Sequence, residues 1–152
     1  MLFRSYADLS PQFRFITLLY GSLCPIQHRF CFANAGHGPV VLHFQSATDQ
    51  FRSLADDDKS GSPLGILRER YQSGDPVALL PGDILILGSD GIVEARHDKE
   101  RFGMERLMRL IRQLKAKPLQ ELHDEIMEAA MSFAEGARPD DDLTLLLVRR
   151  NR

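Results

Sequence analysis

Apolar residues change their period along the chain, and each change marks an element. From Phe13 to Gly21 the residues are aromatic and aliphatic, alternating at the outset as a half-buried strand requires. Pro25-Ile26-Gln27-His28 interrupts them and alternation resumes over Arg29–Asn34, so the two runs read as a hairpin. A Gly36-His37-Gly38-Pro39 turn leads into a third short strand, Val40–Phe44. The stretch Gln45–Gly74, rich in Ser, Asp and Gly, predicts a loop-rich excursion with one or two short strands. Strands are predicted again over Pro76–Leu80 and, past a Pro81-Gly82 turn, over Asp83–Leu87. The second of these is apolar at consecutive positions, the pattern of a strand buried on both faces.

Helical spacing takes over further on. Met104, Leu107, Met108, Ile111 and Leu114 line one face, and Pro118 suits the first turn of a second helix. There Leu119, Leu122, Ile126, Ala129, Ala130 and Phe133 form another stripe that closes near Gly136. Leu143–Val148 is a last buried strand. Hairpins followed by helices and a final strand predict an α+β layered sandwich rather than a Rossmann-type alternation. Residues 1–12 are weakly patterned and read as a loose end; residues 13–150 form the domain.

Composition narrows the partners. The 152 residues suffice for one modest domain, and 43% hydrophobic with 26% charged residues is ordinary for a folded protein. Nineteen Lys and Arg against 21 Asp and Glu leave a formal charge of −2, with no basic footprint for nucleic acid. No apolar run approaches the roughly 18 residues needed to span a bilayer, and the start lacks a secretory h-region. Cys24 and Cys31 are the two cysteines. They fit neither a disulfide framework nor a tetrahedral zinc site, so free thiols and a cytoplasmic location are expected.

Most catalytic signatures are missing: a phosphate-cradling glycine loop, a His-Glu-x-x-His pair, a nucleophile elbow. What stands out is acidic. Ser89-Asp90-Gly91 ends the most buried strand, and Asp140-Asp141-Asp142 precedes the last one. Carboxylates held at strand ends repel one another unless a cation neutralises them, and all-oxygen donors suit Mg²⁺ or Mn²⁺ better than zinc. Each feature alone has a plainer reading. Asp-Gly after a strand is most often a turn, and consecutive aspartates are usually solvated, as expected for Asp56-Asp57-Asp58. Asp140 to Asp142 also suit a strand-edge gatekeeper. His37, in its glycine-flanked turn, either faces a site or simply hydrogen-bonds within the turn. His28, His43, His97 and His123 share no ligand spacing and read as surface or core residues.

Several blocks occur in the order of a known family. Phe15-Ile16-Thr17-Leu18-Leu19-Tyr20-Gly21 and Phe32-Ala33-Asn34-Ala35-Gly36-His37 come first. Ser62-Pro63-Leu64-Gly65, Leu80-Pro81-Gly82-Asp83 and Ser89-Asp90-Gly91-Ile92-Val93-Glu94-Ala95-Arg96 follow. Phe102-Gly103 and Asp141-Asp142-Leu143-Thr144-Leu145-Leu146 complete the set. From about Phe13 to Arg150 the chain resembles the bacterial PPM-type serine phosphatases of the SpoIIE/RsbU group.

That resemblance implies a PPM-phosphatase-like sandwich of two antiparallel β-sheets flanked by helices, holding two Mg²⁺ or Mn²⁺ ions at one end. The ions activate a bridging water that attacks the phosphorus of a phosphoserine or phosphothreonine, so no protein nucleophile is needed. By position, Asp90 and Asp141 correspond to metal ligands, and Asp142 to a support of the strand start. Ligands of shared ions lie within about 4–7 Å of each other, so Asp90 and Asp141 are expected close together. The resemblance also implies a phosphorylated protein substrate, such as an anti-sigma-factor antagonist, and a sensor or receiver domain upstream. Within these residues the family's N-terminal Asp-Val-x-Gly-His/Lys-Gly block has no counterpart. Asp8-Leu9-Ser10 does not match it, and no glycine precedes Gly21. The expectation is an N-terminally truncated domain: a fragment, a short gene product or a degenerate member. Three readings follow, namely a phosphatase domain, a catalytically inactive remnant acting as a binding module, and a domain stabilised by one cation.

Overall fold

The computed structural model describes residues 15–55, 60–67, 71–134 and 142–151. Two compact units emerge. One draws on the chain up to Gly38 and on Leu54–Leu79, the other on Pro39–Ser53 and the chain from Leu80 onward. The expected α+β class with antiparallel sheets is the observed one.

In the first unit β1 (Leu18–Cys24) and β2 (Arg29–Ala35) form the expected hairpin, and β5 (Val77–Ala78) pairs with the other edge of β2. Alternation in β2 buries Phe30, Phe32 and Asn34, with the two rings stacked at 5.6 Å. Gly21 is required opposite them, because a Cβ there would lie 2.5 Å from the Phe30 ring. Residues 20–23 of β1 are exposed, unlike the half-buried strand that its composition suggests. The strand also begins at Leu18. Ile16 makes an isolated bridge to Leu64 instead, and Phe13 lies outside the described residues. Register sets Cys31 opposite Ser22 and Cys24 opposite Arg29, and both cysteines are free thiols.

The second unit is a four-stranded antiparallel sheet in the order β4 (Gln50–Ser53), β3 (Val41–Gln45), β6 (Ile84–Gly88), β9 (Leu145–Arg149). Leu42, Ile86 and Leu147 stand opposite one another across three strands. With Phe44 and Ile84 they join one core with the helices α2 (Gly103–Leu114) and α3 (Leu119–Phe133). Leu107, Ile111, Leu122 and Ile126 are fully buried, each contributing roughly 1.5–3 kcal/mol through lost contact with water. On the opposite face of the sheet Val41 and Leu85 are buried too, which explains the unbroken apolar run in β6. Arg149 reaches the Lys117 carbonyl at 2.7 Å and ties β9 to the link between the helices; burial lowers its pKa.

Two short pieces escape periodicity altogether. A single-turn helix, α1 (Gly91–Glu94), follows β6, and a tiny hairpin of β7 (Arg96–His97) and β8 (Glu100–Arg101) follows that. The turn entering β6 is held by a buried carboxylate. Asp83 accepts from the amides of Leu80 and Ser46 and lies 2.9 Å from His43 Nε2. Both side chains are almost wholly buried, at 4% and 2% exposed. A charge so placed is tolerated because its lone pairs are satisfied.

Candidate metal centre

Strand β6 ends by delivering three small or polar residues to the edge of its sheet. Gly88 pairs with Leu145, the last rung of the β6–β9 ladder, and its amide donates to Val40 O at 2.7 Å. There is no room at Gly88 for a side chain. A Cβ would meet Thr144 O at 2.9 Å, Ile92 Cδ1 at 3.0 Å and Val40 Cγ1 at 3.1 Å.

Ser89 carries the pairing past the ladder. Its amide donates to Thr144 O at 3.0 Å, its hydroxyl donates to Asp142 O at 2.7 Å, and the same oxygen accepts from the Thr144 amide at 3.0 Å.

Asp90 comes next, at the N-cap position of α1, and is exposed. Its carbonyl accepts from the Glu94 amide at 2.9 Å, while its carboxylate makes no cap bond to the helix. An aspartate in this position normally caps. Here Gly91, Ile92 and Val93 are buried, so packing anchors the turn and leaves the carboxylate open. The group is thus rigidly based, solvent-facing and not spent on capping its helix.

The structure therefore brings the end of β6 beside the approach to β9. Asp141 itself lies outside the described residues, as do Asp140 and Asp56 to Asp58. Asp142 is exposed, with its carbonyl engaged by Ser89. Among the described residues no cluster of three or more His, Cys, Asp or Glu is gathered in metal-binding range. The donor in view is one carboxylate with hard oxygen atoms, a donor type that suits a largely hydrated Mg²⁺ or Mn²⁺.

The histidines of the second unit are engaged within their own unit. His43 is buried on Asp83, His97 packs its ring 6.1 Å from that of Phe133, and His123 meets Asp124 at 2.9 Å. His37 belongs to the first unit, where its amide donates to Asn34 Oδ1 at 2.8 Å and fixes the turn at Gly36, whose φ is 65°. From the sequence, Ser89 and Asp83 stood out only as members of motifs, with no role assigned to either side chain. A lone aspartate opening an otherwise apolar strand was the available signal for the latter.

A family model described as Stage II sporulation protein E (SpoIIE) matches residues 2–151. Protein IcfG of Synechocystis is 31% identical over 140 residues, covering 90% of this chain and 21% of that protein. Phosphoserine phosphatase RsbU of Bacillus subtilis is 28% identical over 136 residues, covering 90% of this chain and 39% of RsbU. The chain thus spans less than half the length of either relative. Among solved structures, that of the RsbU and RsbW domains of Rv1364c from Mycobacterium tuberculosis superposes with a TM-score of 0.73 at 22% identity. It covers 97% of this chain and 39% of that one, and shows a shared fold.

Proposed function

The chain belongs to the SpoIIE family of bacterial PPM-type phosphatases, and from that membership we propose that it is the metal-binding part of a protein serine/threonine phosphatase. The observation that carries this reading is Asp90: a carboxylate fixed at the end of a buried strand, exposed, and left uncommitted by its own helix. Asp90 and Asp141 would hold Mg²⁺ or Mn²⁺. Such ions, when bound, supply Lewis acidity toward phosphoryl oxygens and a water acidic enough to act as nucleophile. The chain's own part is to hold oxygen donors at a solvent-facing edge that a phosphorylated side chain can reach.

The substrate class is a phosphoserine or phosphothreonine on a regulatory protein. Support for a partner-switching role, with an anti-sigma-factor antagonist as substrate, is the RsbU name of one relative and the RsbW domain that accompanies RsbU in the structural neighbour. A sensor or receiver domain upstream, and action in the cytoplasm, belong to the same proposal. Among the described residues no helix is long and apolar enough to cross a membrane.

Two carboxylates hold one hexacoordinate ion loosely and do not fix a second. The 152-residue chain is therefore expected to bind Mn²⁺ weakly and turn over little. Hydrolysis of a phosphoserine peptide with excess Mn²⁺ tests this, comparing the chain with a version extended by an Asp-Val-x-Gly-x-Gly block. The extended protein should be active, and Asp90→Asn or Asp141→Asn should abolish its turnover. Robust turnover by the short chain would show that the two carboxylates suffice. Unchanged turnover in extended Asp90→Asn would put the site elsewhere. An inert extended protein would favour the remnant that binds a partner without catalysis.

A further inference from the structure

We infer that the outer edge of β1 is where two copies of this chain join, one β1 lying antiparallel to the other. β1 ends its sheet. All seven residues from Leu18 to Cys24 pair with β2 on one side, and among the described residues no hydrogen bond reaches the other side. Free backbone donors and acceptors along a sheet edge are a template for a further strand.

Proteins blunt such edges with charge, brevity or a covering segment. Elsewhere in this molecule they are blunted. β4 carries Arg52, β9 carries Arg149, β7 and β8 carry Arg96, Glu100 and Arg101, and β5 is two residues long. β1 has no such device. None of the ten residues from Phe15 to Cys24 is charged, in a chain with 26% charged residues. Apolar surface gathers there as well: Phe15, Ile16, Tyr20 and Leu23 are exposed, and so is Ile26 in the turn that follows. Scattered singly these would need no explanation, but five along one strand and its turn make a patch.

Charge and symmetry select the occupant. An uncharged edge offers nothing to an acidic or basic partner, whereas a second copy brings the same edge with nothing to repel. Antiparallel pairing about a two-fold axis uses one edge from each copy and closes, so it yields a dimer and not a fibre. One register alone pairs all seven residues. Its axis passes Gly21 and sets Leu18, Leu19 and Tyr20 against Cys24, Leu23 and Ser22 of the second copy.

Sedimentation equilibrium of the full 152-residue chain over a range of concentrations tests this, with thermal melting to check folding. The parent should be a dimer that dissociates on dilution. Tyr20→Lys with Ser22→Lys, both at exposed positions, sets lysine against lysine twice across the junction and should weaken association by about tenfold or more. Tyr20→Glu with Ser22→Lys sets glutamate against lysine and should associate as the parent does. A parent that is monomeric at every concentration would overturn the proposal and leave the edge to a strand of another protein. Undiminished association with both lysines in place, or none with the glutamate–lysine pair, would overturn it too. Should a charged variant fail to fold, crosslinking decides. In a Cys31→Ser background, Leu18→Cys should form a disulfide with Cys24 of the second copy. Cys24 without that substitution should form none, because its own counterpart lies about 20 Å away along the paired strands. Absence of a covalent dimer from Leu18→Cys would overturn the proposal.

Discussion

Asp83 and Asp90 carry the same side chain at either end of β6 and are used in opposite ways. Asp83 is 1% exposed and spends its oxygens on two amides and on His43. Asp90 is exposed and makes no bond to the helix it precedes. Their substitution should therefore separate stability from binding. Asp83→Ala deprives two backbone amides and the buried His43 of their partner and should cost about 3–5 kcal/mol, read from the urea midpoint of the metal-free protein. Asp90→Ala should stay within about 0.5 kcal/mol of the parent in the same titration, because it removes nothing the fold uses. If both lose stability alike, Asp90 is part of the scaffold and its proposed role as a ligand weakens.

Elements were legible where a local period survives folding. The stripe of Leu122, Ile126 and Ala130 is the buried face of α3, and Phe30, Phe32 and Asn34 are the buried face of β2. Ile126→Ala should accordingly destabilise by about 2–5 kcal/mol in thermal or urea unfolding, and Met131→Ala, on the exposed side, by less than about 0.5 kcal/mol. What could not be read is pairing. Nothing in Ile84–Gly88 says that its neighbours are β3 and β9, and α1, at four residues, is shorter than any period that could announce it. The candidate site divides along the same line. Asp90 was visible as a residue after a buried run, whereas the Ser89 clasp joins positions 53 and 55 residues apart and leaves no local trace. β1 misled for a related reason: its apolar letters suggest burial, yet Tyr20 and Leu23 are 62% and 44% exposed.

For the whole molecule, a ligand that binds the native state must raise its stability. Mn²⁺ at ten times its dissociation constant should add about 1.4 kcal/mol, visible as a melting temperature that climbs with Mn²⁺ and falls back on adding a chelator. Asp90→Asn should show no such climb. Thiol titration under denaturing, non-reducing conditions should count both Cys24 and Cys31, in line with their separation across the hairpin. The β6–β9 pairing also has a consequence in time. A ribosome adding about 5–20 residues per second needs roughly 3–11 s to travel from Gly88 to Leu145, and throughout that interval β6 exists without its outer neighbour. During synthesis, then, Asp90 is made early but is acid without a partner segment. The nascent protein has its hydrophobic helices before it has β9, so competence to bind an ion at the proposed site would arrive only after most of the core can already form.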